Sequence, residues 1–236
     1  AEVRVLVAEG LREPVTVFLR SGTYELSKNL IYNTSDSGTE AFAVTYKAFQ
    51  GETVSVSGGR RITNWKEDNQ GVWTAELPDV KNGKWFFRQL IVNDRRAVRA
   101  RWPNHDGELR IRSVSDGVQR FAFNKTLPWK NLNGQDTEMV VYENWSVTRG
   151  LVSSSDKKQL TTKTSMGWIG HGNFTTASKG KPVYLEHARS FLDAPGEWFL
   201  DREEGVLYYQ PMKGENPPDS MIFAPILQRL LVIAGR

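Results

Sequence analysis

The sequence predicts an all-β fold built from two parts of different character. Between Pro14 and Ser57, short β-branched runs bounded by Gly and polar turns recur about every 10–14 residues, which is typical of a sandwich, a barrel or the coils of a β-solenoid. From about Ile62 onward all eight tryptophans appear, and loops rich in Asn, Gly, Asp and Lys separate the apolar runs. We therefore expect short solenoid-like strands first and an antiparallel β-domain with its own core afterwards.

The first part begins with a short apolar segment that we expect to end as a helix at Gly10, since glycine readily caps a helix. Alternation of Val15, Val17 and Leu19 on one face predicts the first strand. The predicted strands of this part are Pro14–Leu19, Thr23–Leu26, Asn29–Asn33, Ala43–Phe49 and Thr53–Ser57.

The second part is expected to contain strands at Val72–Leu77, Arg88–Val92, Ala97–Arg101, Met139–Val147 and Val183–Glu186. A hairpin is predicted from Trp198–Leu200 to Val206–Gln210, with Gly205 supplying the positive φ of its turn. Trp73, Trp145 and Trp198 lie among alternating apolar residues, which predicts that they are buried in the core. The polar segment Lys213–Asp219 would close this part, and the apolar run Leu230–Ile233 predicts that the parent protein continues.

Composition narrows the functional classes. The formal net charge is +4, with no cysteine, so disulfides and Cys-based metal sites are excluded. No apolar stretch is long enough to span a membrane. The three histidines lack metal-ligand spacing, and P-loop, dinucleotide-binding and G-x-S-x-G motifs are absent, so neither a metal nor a cofactor is expected. The oligomeric state is not determined by these features.

Several segments of the sequence resemble segments of a known protein family, and they occur in the same order as in that family. The stretches PVTVFLRSGTYELSKNLIY and DSGTEAFAVTYKAFQGETVSVSGGRRITNW resemble the first coils of right-handed parallel β-helix proteins. FFRQLIVNDRRAVRARWPN and VYLEHARSFLDAPGEWFLDREEGVLYYQP look like the start and end of the insertion domain of glycoside hydrolase family 141 and its relatives. FAPILQRLLVIAG resembles the return into the helix.

This resemblance implies three segments: β-helix coils over residues 1–61, an inserted antiparallel sandwich or barrel-like domain over 62–219, and a return strand over 220–236. It implies a secreted, periplasmic or cell-surface bacterial protein that degrades glycans, most simply as a glycoside hydrolase. In such enzymes the catalytic acids lie on later coils, so no catalytic residue is assigned within this chain. A polysaccharide lyase and a non-catalytic carbohydrate-binding or adhesive scaffold remain as alternatives.

The candidate substrate-binding residues surround a basic segment. Arg99 and Arg101 are expected on one face of a strand. There, each guanidinium group could bind a carboxylate or sulfate through two parallel hydrogen bonds. Trp102 could stack on a sugar ring, and the loop histidines His105 and His171 could donate hydrogen bonds to it. The partner would be a polysaccharide or oligosaccharide, neutral or anionic. The other interpretation is an exposed strand face that forms ordinary salt bridges.

Acidic residues offer weaker candidates. Asp201, Glu203 and Glu204 cluster in the predicted hairpin turn, where carboxylates would be solvated rather than catalytic. Asp106 and Glu108 follow the Trp102–His105 bend and form a second conceivable pair. Glycoside hydrolysis requires two carboxyl groups held about 5–10 Å apart, one of them protonated. Nucleic-acid binding through the basic strand is a further rival, although the positive charge is not gathered into one stripe.

Overall fold

The computed structural model describes residues 2–105, 107–132, 136–168 and 177–235. It divides into two compact units: Ala1–Arg61 with Phe223–Arg236, and Ile62–Ile222. Within the described residues, strands dominate and helices are short, so the prediction of an all-β fold is confirmed. No helix in this part of the chain has the length and apolar character needed to cross a membrane.

The helical elements are α1 (Glu2–Glu9), α2 (Pro78–Lys81) and the 3₁₀ turns Thr34–Asp36 and Arg189–Phe191. The strands are β1 (Val15–Leu19), β2 (Gly22–Glu25), β3 (Leu30–Asn33), β4 (Val44–Ala48), β5 (Val54–Ser57), β6 (Gly59–Arg61), β7 (Lys66–Glu67), β8 (Trp73–Glu76), β9 (Ile91–Val92), β10 (Arg95–Arg96), β11 (Val98–Arg99), β12 (Arg101–Trp102), β13 (Leu109–Ser115), β14 (Arg120–Phe123), β15 (Glu138–Tyr142), β16 (Val147–Ser155), β17 (Gln159–Thr162), β18 (Pro182–Glu186), β19 (Glu197–Asp201), β20 (Val206–Tyr209), β21 (Ile222–Pro225) and β22 (Leu231–Ala234).

The first unit is built from parallel strand pairs. Strand β1 pairs with β4, β2 with β5, and β3 with β22, each in parallel. An ion pair from Arg20 to Glu52, at 2.6 Å, links the segments that follow β1 and β4. Helix α1 is present as expected, and Gly10 after it has a φ of 85°. Among residues 2–61 no side chain is fully buried.

The second unit contains a sheet that closes on itself like a barrel. Its strands follow the order β18-β13-β14-β17-β16-β15, and β15 pairs again with β18. All of these pairings are antiparallel. The interior is apolar and includes Phe121, Met139, Leu160, Met166 and Leu185, all essentially without solvent exposure. Because a closed sheet has no free edge along these strands, its backbone hydrogen bonds are satisfied internally.

A second sheet of the same unit has the order β11-β19-β20-β8-β7. Trp73 and Trp198 are buried in it, as the sequence predicts. The β19–β20 hairpin turns at Gly205, whose φ is 68°. A Cβ at Gly205 would lie 2.6 Å from Lys81 Cβ and 2.9 Å from the Leu77 carbonyl oxygen. Glycine is therefore required there both by conformation and by space.

Several predictions for this unit are wrong. Of the predicted strand Arg88–Val92 only Ile91–Val92 is a strand, and the predicted strand Ala97–Arg101 is divided between β11 and β12. The segment Met139–Val147 is not one strand, because the chain turns at residues 143–146 between β15 and β16. Trp145 lies in this turn and is 73% exposed, so it is not a core residue. The turn is held by Glu143, whose carboxylate accepts hydrogen bonds from the hydroxyls of Ser146 and Thr148.

Candidate functional site

A cavity of about 580 Å³ opens on the second unit. It is lined by five arginines, two glutamates, a tyrosine, a histidine and three other residues: Arg88, Arg96, Arg99, Arg101, Arg149, Glu138, Glu186, Tyr184, His105, Gln89, Ala97 and Val98. We call it the arginine cavity. Its five guanidinium groups exceed its two carboxylates by three positive charges.

Strand alternation places the polar side chains of the cavity outside the barrel. On β15, Met139 and Val141 belong to the apolar interior. Side chains alternate along a strand, so Glu138, Val140 and Tyr142 occupy the opposite, outer face. Of these three outer residues, Glu138 lines the cavity.

The register of the neighbouring strands completes this outer face. Glu138 on β15 pairs with Glu186 on β18, and Val140 pairs with Tyr184. On the other side of β15, Val140 pairs with Arg149 of β16. Strand β12 joins β18 through the pairing of Arg101 with Glu186. Four strands therefore bring their charged side chains together.

Arg99 is the centre of the charge cluster. Its Nη1 donates to Glu138 Oε2 at 2.7 Å and to Glu186 Oε1 at 2.5 Å. The side chain is 9% exposed. Arg88 adds a two-pronged contact to Glu138, at 2.9 Å and 2.5 Å, and Arg149 Nη1 donates to Glu186 Oε1. Both carboxylates are therefore bridged by guanidinium groups.

These contacts keep Glu138 ionised. Burial by itself would raise the pKa of Glu138, but the hydrogen bonds and charges of Arg88 and Arg99 outweigh it and lower the pKa to about 2. The carboxylate is therefore charged at every pH near neutrality. It fixes the neighbouring arginines in place and is not available as a proton donor.

Arg101 differs from Arg88, Arg99 and Arg149, which contact the carboxylates of the cavity. Its guanidinium carbon lies 3.9 Å from the centre of the Tyr184 ring, and its Nε donates to the Pro103 carbonyl at 3.2 Å. Neither Arg101 nor the exposed Arg96 forms an ion pair with a carboxylate in residues 2–105, 107–132, 136–168 and 177–235. Stacking on an aromatic face leaves the edge of a guanidinium group able to donate to a ligand.

A buried carboxylate lies behind Arg101. Glu197 Oε1 accepts a hydrogen bond from the Arg101 backbone N–H, and its Oε2 accepts from those of Asp193 and Ala194, each at 3.2 Å. Burial raises the pKa of Glu197 to about 7 against the lowering effect of these bonds. Glu197 therefore anchors the backbone that carries Arg101.

The structure brings some of the sequence-predicted site residues together. Arg99, Arg101 and His105 all line the arginine cavity, although Arg99 and Arg101 belong to the separate strands β11 and β12. Trp102 is not part of the lining; it packs against the apolar interior and meets Trp129 edge to face, with ring centres 5.4 Å apart. His171 lies outside the described residues.

The remaining acidic candidates are structural or outside the described residues. Asp201 Oδ1 accepts the backbone N–H groups of Glu203 and Glu204 at 3.0 Å, which is a turn contact. Glu108 forms an exposed ion pair with Arg110 at 2.6 Å, and Asp106 is not described. Within the described residues no group of three or more acidic or histidine side chains could hold a metal ion.

Sequence reasoning missed most of the cavity lining, including Arg88, Arg149, Glu138, Glu186 and Tyr184. A signal was present in the strands EMVVY and PVYLE, because each carries a carboxylate at the end of an otherwise apolar or aromatic run. Charged residues at such positions are costly unless paired, so they indicate an internal partner. The sequence does not show which arginines provide it.

Comparison with known proteins identifies the second unit. The GH141 insertion domain family matches residues 70–212. The chain belongs to this family. A solved structure named "Glycoside hydrolase" is similar, with a TM-score of 0.80 and 26% sequence identity. The similarity covers 100% of this chain and 43% of that one, so the chain spans less than half of the glycoside hydrolase it matches. No curated protein matches.

Proposed function

We propose that the chain is part of a glycan-degrading enzyme, in which the insertion domain holds an acidic sugar residue in the arginine cavity. Membership of the GH141 insertion domain family and the similarity to a glycoside hydrolase support the glycan-degrading role. The observation that carries the binding role is the excess of guanidinium groups over carboxylates in one cavity.

The proposal includes a right-handed parallel β-helix as the scaffold of the enzyme. Three parallel pairings in the first unit support it, because β1–β4 and β2–β5 join strands in the repeated order expected of successive coils. The corresponding partners Val15 with Val44 and Gly22 with Val54 are separated by similar lengths of chain. Such coils bury their inward residues against neighbouring coils rather than within one turn.

Hydrolysis itself is assigned to carboxyl groups outside the arginine cavity. A glycosidase needs one carboxylic acid that can donate a proton. Glu138 is held ionised, and Glu186 Oε1 already accepts from Arg99 and Arg149. The two carboxylates therefore suit a structural role beneath the ligand, and we propose that this domain binds while another part of the protein cleaves.

The interactions of the Arg101 guanidinium group favour an acidic group on the ligand. The carboxylates of the cavity already contact Arg88, Arg99 and Arg149, whereas Arg101 is oriented by Tyr184 and has no carboxylate partner among the described residues. A planar guanidinium group can bind a carboxylate or a sulfate through two parallel hydrogen bonds. A sugar acid would supply negative charge to balance the excess of guanidinium groups in the cavity.

The test is calorimetric titration of the full-length protein with galacturonate, glucose 6-sulfate and glucose. We expect the two anionic sugars to bind more tightly than glucose, and Arg101→Ala to weaken their binding by about tenfold or more, since a charge-assisted hydrogen bond contributes roughly 1.5–3 kcal/mol. The two anions distinguish a carboxylate site from a sulfate site.

Arg189→Ala is the matched control. Its guanidinium carbon also lies over a tyrosine, 4.5 Å from the Tyr208 ring centre, but Arg189 is outside the arginine cavity. This variant should bind the acidic sugars as the wild type does. Glucose binding as tight as galacturonate binding, or equal affinities for wild type and Arg101→Ala, would refute an acidic-sugar site.

A further inference from the structure

The outer face of the barrel continues beyond the arginine cavity as an apolar surface. The Tyr184 ring, which lines the cavity, contacts the Tyr142 ring with centres 5.7 Å apart. Tyr142 is 42% exposed and Val147, its cross-strand partner, is 50% exposed. We call Tyr184, Tyr142 and Val147 the aromatic strip.

The strip runs along β15 away from the row formed by Glu138 and Glu186. Glu138 and Glu186 form the first cross-strand row, Val140 and Tyr184 the second, and Tyr142 lies two residues further along β15. Four residues of a β-strand span about 13 Å. The strip therefore extends from the cavity over a distance suited to more than one sugar ring.

Hydrogen bonds hold the turn that follows the end of the strip. The Glu143 backbone N–H donates to the Ser146 carbonyl at 2.9 Å, and the Glu143 carboxylate accepts from Thr148 at 2.8 Å. Lys181, which precedes β18, contacts the Asn144 side chain across the turn. A fixed aromatic surface binds a ligand at a smaller entropic cost than a mobile one.

We propose that the aromatic strip binds the sugar residues adjacent to the acidic residue held by Arg101, so that an oligosaccharide runs from the arginine cavity toward Val147. The axial C–H groups of a pyranose form an apolar face that can pack on the partly exposed Tyr142 ring, while the acid group reaches the guanidinium groups. This inference rests on the proposed function and extends the binding site from one sugar to several.

Continuity of the two surfaces supports a single ligand. Tyr184 contacts Arg101 on the cavity side and Tyr142 on the strip side, so one side chain belongs to both. An isolated exposed tyrosine would need no explanation. Tyr184 is 7% exposed and packs against the exposed Tyr142 ring beside the cluster of guanidinium groups, an arrangement that matches a ligand with one charged group and an adjacent sugar ring.

The experiment compares galacturonate with trigalacturonate by calorimetric titration of the full-length protein. In the wild type we expect trigalacturonate to bind about fivefold more tightly, which corresponds to ~1 kcal/mol from the added contact with the Tyr142 ring. Tyr142→Ala should abolish most of this gain while leaving the affinity for galacturonate unchanged. Tyr142→Phe should retain the gain, because the ring rather than the hydroxyl makes the contact.

Tyr24→Ala is the control, since Tyr24 is an equally exposed tyrosine, at 40%, on β2 of the other unit. It should keep the full gain for trigalacturonate. If Tyr142→Ala keeps the gain while galacturonate binding still depends on Arg101, the aromatic strip is refuted and the proposed function stands. If galacturonate does not bind the wild type at all, the proposed function fails, independently of Tyr142. Unchanged galacturonate affinity in Tyr142→Ala shows that the variant is folded.

Discussion

The two faces of strands β15 and β18 differ completely in chemistry although they share one backbone. The inner face carries Met139, Val141, Val183 and Leu185, all buried in the barrel interior. The outer face carries Glu138, Glu186 and Tyr184, which line the arginine cavity. Side-chain alternation alone separates the two sets. Under the proposed function, stability and ligand recognition therefore lie on opposite sides of the same short strands.

The two faces contribute differently to the stability of the fold. Apolar burial inside the barrel stabilises the fold by roughly 1.5–3 kcal/mol for each large side chain. The Arg–Glu cluster outside is not a strong source of stability, because removing charges from water offsets much of their attraction. Removing one member of the cluster is costly all the same, because it leaves the charges of the other members without a partner. The following predictions test that division.

The largest effect on stability is expected at the inner face. Leu185→Ala removes a fully buried side chain that lies next to Tyr184 and Glu186 in sequence. Its free energy of unfolding should fall by about 2–5 kcal/mol, the range for large-to-small changes in a packed core. Denaturant unfolding would measure this, and the folded protein should retain its affinity for galacturonate. A loss of affinity with little loss of stability would reverse the assigned roles of the faces.

A smaller effect is expected at the outer face, and it should depend on pH. The pKa of Glu138 is lowered to about 2 from an ordinary value of 4.5. A lowered pKa stabilises the folded state above pH 4.5, and this contribution disappears as the pH falls from 4.5 toward 2. Glu138→Gln should therefore lower the free energy of unfolding at pH 7 by roughly 2 kcal/mol, allowing for the solvent exposure of Arg88.

The pH profile distinguishes this effect from a general loss of packing. The difference between wild type and Glu138→Gln should shrink as the pH is lowered from 5 to 2, because the wild-type carboxyl becomes neutral like the amide. Glu76→Gln, which alters the exposed ion pair with Lys66, should show little difference at any pH. A constant difference for Glu138→Gln across this range would contradict the ionised state of Glu138.

Much of the fold follows from local patterns in the sequence. Strands β1, β3, β4 and β5 of the first unit lie within predicted runs, and β2 and β22 overlap them, because β-branched residues bounded by Gly and polar turns define short strands locally. Strand β6 was not predicted. Strands β13, β14, β16 and β17 were not predicted. LRIRSVS and VTRGLVSSS carry many polar residues, which face outward from the closed sheet. Their strand structure depends on pairing partners that a local pattern does not reveal.

The site is only partly predictable for the same reason. Arg99, Arg101 and His105 could be selected because they form a compact basic segment. The carboxylates that contact Arg99 come from positions 39 and 87 residues away in the chain. Only the register of β15 and β18 brings Glu138 beside Glu186. The charge balance of the cavity, which carries the proposed function, is therefore a property of the fold rather than of any segment.

A crystal structure of the full-length protein with trigalacturonate would test the central claim most directly. We predict ligand density in the arginine cavity, with one carboxylate within hydrogen-bond distance of the Arg101 guanidinium group and a neighbouring sugar ring over Tyr142. Ordered ligand elsewhere, with the cavity free of it at saturating concentration, would contradict the assignment of this outer face as the glycan-binding surface.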